Sequence, residues 1–108
     1  MNRVRTLCLA LVAGGFALPA MAECTPPVAP TKVPDATTAT EAEMIAAMQT
    51  LKRYDTDVNT YVKCLEFEAK QNRLSKEEQA RRHNAAMDSL TSIAAKFNEQ
   101  VRIFKAKG

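Results

Sequence analysis

The 108-residue chain has no tryptophan, three glycines and one histidine. It therefore has little material for a catalytic site. It also lacks an excess of charge of one sign. Its 15 basic residues face 12 acidic ones, and two of the basic residues, Arg3 and Arg5, lie among the first 22 residues. The remainder has 13 basic residues and a net charge of +1. That balance argues against a dedicated nucleic-acid-binding protein, which would concentrate positive charge.

The first 22 residues have the three parts of a secretory signal peptide. The two arginines form a positive start, residues 7–18 form an apolar run, and residues 20–22 form an A-x-A cleavage motif. An uncleaved membrane anchor is the alternative, but a spanning helix needs about 20 apolar residues. We therefore expect cleavage after Ala22, which would give a periplasmic protein that starts at Glu23.

Two cysteines, Cys24 and Cys64, remain after this cleavage, since Cys8 lies in the predicted signal. An even number of cysteines in an exported chain favours a disulfide, because export leads to an oxidising compartment. A pair of metal-binding thiolates is the alternative, but it would need nearby Cys or His ligands, and His83 is the single histidine. We expect a bridge between Cys24 and Cys64, and neither a metal nor another cofactor.

The mature chain divides into a proline-rich arm and a helical part. Residues 23–39 contain all of its prolines, a composition that predicts an extended, polyproline-like segment. Two capping boxes follow, in which a hydroxyl accepts a hydrogen bond from the backbone of a Glu three residues later. These boxes are Thr40-x-x-Glu43 and Ser75-x-x-Glu78.

The boxes predict helices over about 41–73 and 76–105, within a helical part that spans residues 40–108. Apolar residues recur in both helices at the seven-residue spacing of packed or coiled helices. The two series are Met44, Leu51, Val58 and Leu65, and His83, Leu90, Phe97 and Phe104. Folding the second helix back on the first pairs residues whose numbers sum to 148, such as Leu51 with Phe97. The predicted fold is therefore all-α, an antiparallel two-helix hairpin with coiled-coil spacing.

The arm is long enough to lie beside the first helix. The 16 residues from Thr25 to Thr40 span up to about 50 Å when extended. The helix from Thr40 to Cys64 spans about 35 Å. We therefore expect the arm to run back along this helix, with Val28 and Val33 packed in the groove beside Cys64.

Several of these residues together resemble a group of small exported proteobacterial proteins with a Cys- and Pro-rich arm and a helical hairpin. The residues that carry the resemblance are Cys24, Pro34-Asp35, Thr40, Glu43-Met44, Tyr54, Tyr61, Cys64-Leu65 and the run Phe97-Asn98-Glu99-Gln100-Val101. The group often has Gly after Pro-Asp, where this chain has Ala36. No activity is established for the group, so the resemblance implies a periplasmic location and no functional residues.

The methionines and the histidine raise the alternative of a metal site. His83 and Met87 are four residues apart, as are Met44 and Met48, and His and Met are ligands for copper. However, the predicted register places the two pairs at opposite ends of the hairpin. We therefore expect the methionines to fill gaps in the core.

Two further patterns suggest binding surfaces. Tyr54 and Tyr61 could form an aromatic strip for a small ligand, although tyrosines at this spacing usually pack in a core. Arg102, Lys105 and Lys107 could contact an anionic lipid surface. Positive charge also suits a helix C-terminus, and this is the interpretation that we favour.

Apolar residues outside the two series are the clearest functional signal. They are Ile45, Met48, Val62, Phe67 and Ile103. Such residues suggest contact with another envelope protein or self-association, for example two hairpins paired in a four-helix bundle. Because a hairpin has little room for a desolvated pocket, we do not expect an enzyme. We expect a structural or protein-interaction module, and the alternative is a protein that binds a small ligand, a metal or an anionic lipid surface.

Overall fold

The computed structural model describes residues 24–108, and the predicted signal peptide lies outside this range. A non-helical arm leads into two α-helices, α1 at Glu41–Lys70 and α2 at Lys76–Ala106, and the described residues form no strand. The helices pack against each other, and Met44 near the start of α1 shares a buried cluster with Phe97 near the end of α2. The chain is therefore the antiparallel helical hairpin that its sequence predicts.

Both helices begin at the predicted caps. The hydroxyl of Thr40 accepts a hydrogen bond from the Glu43 backbone N–H at 3.1 Å, and Ser75 accepts one from Glu78 at the same distance. Each hydroxyl satisfies a backbone donor that the first turn of a helix leaves without an intrahelical partner. The caps therefore fix where each helix starts.

The first helix ends three residues earlier than predicted, at Lys70. Asn72 adopts a left-handed conformation (φ 59°), and its N–H donates to the Ala69 carbonyl at 3.1 Å. The Arg73 N–H donates to the Glu68 carbonyl at 2.9 Å, which completes a Schellman motif. The Arg73 guanidinium also pairs with the Glu68 carboxylate, at 2.6 and 3.0 Å. These bonds satisfy the last carbonyls of α1 and turn the chain towards α2.

The core lies on the α1 side of the hairpin. Five residues of α1 are buried: Met44, Tyr54, Val58, Tyr61 and Leu65. Phe97 is the one residue of α2 that reaches the same burial, whereas Leu90 is half-buried. Two helices alone cannot enclose their facing side chains, so a third layer decides which of them are sealed from water.

The arm supplies that third layer on one side. Cys24 forms the predicted disulfide with Cys64, with their Cα atoms 5.7 Å apart. Cys24 packs in a buried cluster with Tyr61 and Leu65, against which Ala86 of α2 also lies. The arm therefore starts far along α1 and runs back towards the beginning of that helix.

The middle of the arm lies over the groove between the helices. Only one of the two residues predicted to pack there, Val33, does so. Val33 packs against the cluster that contains Phe97, as expected. Val28 is 88% exposed, so its predicted burial is wrong. Its neighbours Pro27 and Ala29 are half-buried. In an extended chain, adjacent side chains point in different directions, and the face that lies on the helices takes the neighbours of Val28.

A turn links the arm to α1. The carboxylate of Asp35 accepts hydrogen bonds from the hydroxyl of Thr37 at 2.7 Å and from its N–H at 3.0 Å, which lower the pKa of Asp35. Ala36 and Ala39 are buried in the cluster with Phe97. The backbone of Ala36 has no positive φ, so the residue at this position does not need the conformational freedom of glycine.

Candidate interaction surface

The side of the hairpin opposite the arm carries an apolar groove between the two helices. Its central part is a hollow of about 560 Å³, and the lining residues are Leu51, Lys52, Asp55, Leu90, Thr91, Ala94, Ala95 and Asn98. No arm residue belongs to this described lining. The arm therefore covers one side of the helix pair and leaves the other side open.

A second hollow, of about 180 Å³, lies further towards the start of α1. Its lining residues are Glu41, Met44, Ile45, Met48, Phe97, Val101, Phe104 and Lys105. Met48 and Asp55 are seven residues apart, so the two hollows follow one face of α1. We call these two hollows together the open groove. The open groove extends from the end of the hairpin at which α1 starts and α2 ends to the middle of both helices.

Charges of both signs lie along the open groove. Lys52 and Asp55 line its centre, whereas Glu41 and Lys105 line its end. None of these four side chains takes part in an ion pair within residues 24–108, and Asp55 only accepts a 3.4 Å hydrogen bond from Asn59. The open groove therefore offers two positive and two negative groups that are available to a partner.

The structure brings two of the five predicted partner residues into the open groove. Ile45 and Met48 line it and are 44% and 38% exposed. Val62 is half-buried, and it lies seven residues from Asp55 on the same face of α1. Phe67 is 54% exposed, and the Arg73 guanidinium lies over its ring. Ile103 packs against the buried cluster of the arm turn, so neither of the last two is in the groove.

Other residues of the open groove were predicted as core rather than as surface. Leu51 and Leu90 belong to the seven-residue series, yet both are half-buried and line the central hollow. The spacing identifies residues that face the other helix, but it does not show how many layers cover them. The sequence feature that could have indicated this exposure is the arm, because a single extended segment can cover only one side of a hairpin.

The basic residues at the end of α2 serve different roles. Arg102 pairs with Glu99, with Nε 3.0 Å from the carboxylate. The Lys107 ammonium donates to the Ala39 carbonyl at 3.2 Å and lies over the Phe104 ring. Lys105 lines the open groove. The structure thus does not collect Arg102, Lys105 and Lys107 into one basic patch.

A polar cleft lies on the arm side, near the disulfide. It has a volume of about 580 Å³, and Tyr54, Tyr61, Arg81 and Arg82 contribute to its lining. Both tyrosines are buried, as their spacing predicts. Both arginines pair with Glu78, and their hydrogen bonds lower the pKa of this carboxyl to about 2. The arginines are therefore already engaged by a protein carboxylate at the edge of the cleft.

The described residues offer no cluster of metal ligands. Among residues 24–108, no three His, Cys, Asp or Glu side chains come together as a potential metal site. His83 is half-buried, and its Nδ1 lies 3.3 Å from the side-chain oxygen of Asn84. In the same range, neither helix is both long enough and apolar enough to cross a membrane.

Comparison with family models, curated proteins and solved structures finds no match for this chain.

Proposed function

We propose that the chain is a non-enzymatic protein of the bacterial envelope, where it acts as a structural or protein-interaction module. The observation that supports this function is the open groove. Its apolar side chains, among them Ile45 and Met48, stay accessible although the arm covers the opposite side of the same helix pair. An accessible apolar strip with a polar rim is typical of a surface that another protein covers.

Export to the periplasm is part of the proposal. The N-terminal residues have the pattern of a cleavable signal, and a disulfide joins Cys24, close to the predicted mature start, to α1. Structural disulfides persist in oxidising compartments such as the periplasm. Mass spectrometry of the exported protein should find Glu23 at the N-terminus and no free thiol. An intact signal on most molecules would contradict the proposed location.

The arrangement of acidic groups supports a role without catalysis. A general acid or base needs a desolvated position close to a bound substrate. The carboxylates that line the open groove, Glu41 and Asp55, are exposed. At the edge of the arm-side cleft, Glu78 is engaged by the two arginines that line it. The exposure of Glu41 and Asp55 and the ion pairs of Glu78 therefore support a binding role.

Photo-crosslinking in living cells tests the proposed function at the level of single residues. Met48 in the open groove is replaced by benzoylphenylalanine, and Phe67, which is also exposed but lies outside the groove, is replaced in a matched control. We expect a covalent adduct from position 48 and none from position 67. Adducts from position 67 alone, or from neither position, would contradict an interaction through this groove.

A further inference from the structure

We infer that the occupant of the open groove is a second copy of this chain, packed face to face so that two hairpins form an antiparallel four-helix bundle. This inference rests on the proposed function, because it names the partner of the same surface. It is argued from the two central charges, the apolar residues and the small residues of this face, since each of these sets is complementary to itself about one two-fold axis.

The central charges set the position of the axis. Lys52 and Asp55 are three residues apart on α1, both line the open groove, and neither has an ion-pair partner within the described part of the chain. A two-fold axis that crosses α1 midway between them places each Lys52 opposite Asp55 of the second copy. Symmetry produces this pair twice, and opposite charges across an interface favour this register over its neighbours.

The same axis brings apolar residues together on α1. In an antiparallel pairing about this axis, facing residues have numbers that sum to 107, so Ile45 faces Val62 of the second copy. Ile45 is 44% exposed and Val62 is half-buried, so both have surface left to cover. Met48 then faces Asn59 of the second copy, between the apolar pair and the charged pair. The second copy thus covers Ile45 and Met48, the two large hydrophobic residues of the open groove that are exposed in a single hairpin.

The second helix meets the axis at its smallest residues. The hairpin register, in which paired numbers sum to 148, puts Ala94 and Ala95 of α2 at the level of the axis. Both line the central hollow of the groove. Small side chains at this level let the two α2 helices approach each other closely, which would fill the hollow and bury Leu90. Thr91 then lies opposite Asn98 of the second copy, a pair that can form a hydrogen bond.

The charge balance distinguishes a second copy from other occupants. Two positive and two negative groups line the groove, so a partner of one sign, such as an anionic lipid surface, would leave unfavourable contacts with Glu41 and Asp55. A second copy places an opposite charge against both Lys52 and Asp55 at the centre of the interface. At its outer end Glu41 falls opposite Glu66 of the second copy, where both side chains are exposed and solvent screens their repulsion. The alternative occupant is a different envelope protein with a matching pattern of charges. The experiment distinguishes it from a second copy.

The test is a charge swap read out by sedimentation equilibrium of the exported protein with its disulfide intact. The unaltered protein should form a dimer, and Lys52→Asp or Asp55→Lys should each raise the dissociation constant by at least about tenfold, since each places like charges opposite one another twice. The double variant, Lys52→Asp with Asp55→Lys, should restore dimerisation. Arg53 is an exposed residue of the same helix, and it lines neither hollow of the open groove. Arg53→Asp is therefore the control, and it should leave the dimer unchanged.

Two results would overturn the inference. One is a protein that stays monomeric up to about 1 mM, a concentration at which even a weak dimer would form. The other is a dimer that neither single charge reversal weakens. Circular dichroism of every variant shows whether a lost dimer reflects a lost fold. A monomer that is still crosslinked to another protein through position 48 would overturn the second copy as partner and leave the proposed function standing.

Discussion

The backbone N–H of Ala36 donates a hydrogen bond to the side-chain oxygen of Gln100 at 2.8 Å, and this bond ties the arm to a residue of α2 that is 64 positions away. Ala36 is fully buried, so water cannot replace the acceptor. A second link lies nearby, where the Lys107 ammonium donates to the Ala39 carbonyl at 3.2 Å. The arm is therefore held at its start by a disulfide and at its end by hydrogen bonds to α2.

Removing the acceptor tests this link. Gln100→Leu keeps a side chain of similar size but leaves the Ala36 N–H buried without a partner, which typically costs about 1–3 kcal/mol. We expect the free energy of unfolding, measured by urea denaturation, to fall by this amount. Gln49→Leu is the matched control, because Gln49 is exposed on α1, and it should change stability little. Equal effects of the two variants would show that the hydrogen bond does not hold the arm.

Phe97, a buried residue of α2 in the cluster formed with the turn of the arm, leads to a second prediction. Phe97 is 7% exposed and packs against Ala36, Ala39 and Met44, so Phe97→Ala should lower the free energy of unfolding by about 3–5 kcal/mol. Phe67→Ala removes the same ring from a position that is 54% exposed and should cost less than about 1 kcal/mol. Thermal denaturation of both variants provides the measurement. Similar losses from both would contradict the placement of the core.

Much of the fold could be predicted because each part has a local cause. The hydroxyls of Thr40 and Ser75 mark the helix starts, and the seven-residue series gives the pairing of α1 with α2. The disulfide follows from the cysteine count and the inferred export. The end of α1 was misplaced because its signal is weak. Asn72 adopts the left-handed conformation that glycine usually provides, and asparagine is less often used in this way.

The candidate surface could be predicted only in part, because exposure depends on layers that distant segments supply. Ile45 and Met48 fall outside the seven-residue series and are exposed, as expected. Ile103 also falls outside it, yet it packs against the cluster around Ala36, because the turn of the arm covers that end of α2. Leu90 shows the reverse case, a residue of the series that the arm leaves partly open. The spacing of residues within one helix does not show where the arm lies, so it could not predict that Ile103 is covered or that Leu90 is left partly open.

Acid should weaken the start of α2. Hydrogen bonds from Arg81 and Arg82 lower the pKa of Glu78 to about 2 from an ordinary value of 4.5. A carboxyl whose pKa is lower in the folded state stabilises the fold above the ordinary value, and this contribution disappears as the pH falls towards 2. The pKa values of Glu68 and Glu99, which pair with Arg73 and Arg102, are lowered in the same direction.

The free energy of unfolding should therefore decrease as the pH falls from about 5 to about 2. Glu78→Gln removes the titrating group, so its loss of stability over this range should be smaller than that of the unaltered protein. Glu77→Gln is the matched control, since Glu77 is adjacent, exposed and without an ion pair in the described chain, and it should keep the original pH dependence. Chemical denaturation at a series of pH values provides the measurement. An unchanged slope for Glu78→Gln would show that this arginine pair does not contribute.

The disulfide should contribute about as much stability as a large buried side chain. It links Cys24 to Cys64 across a sequence separation of 40 residues. For a closed loop of this length, loss of chain entropy in the unfolded state gives about 4 kcal/mol of stabilisation, and measured values are typically about 2–4 kcal/mol. The double variant Cys24→Ser with Cys64→Ser should therefore have a melting temperature lower by roughly 10–20 °C, given the usual conversion for a domain of this size.

The same variant should also change the arm unevenly, because the arm has independent attachments. Its first residues depend on the bridge, whereas the turn that begins at Asp35 keeps the bonds from Thr37 and the link from Ala36 to Gln100. Under conditions in which the variant is still folded, proteases should cut the arm before Asp35 faster than in the unaltered protein, while hydrogen exchange should show the Ala36 N–H still protected. Loss of protection at the Ala36 N–H would mean that the bridge, rather than the turn, holds the arm on α2. An unchanged melting temperature would contradict a stabilising disulfide altogether.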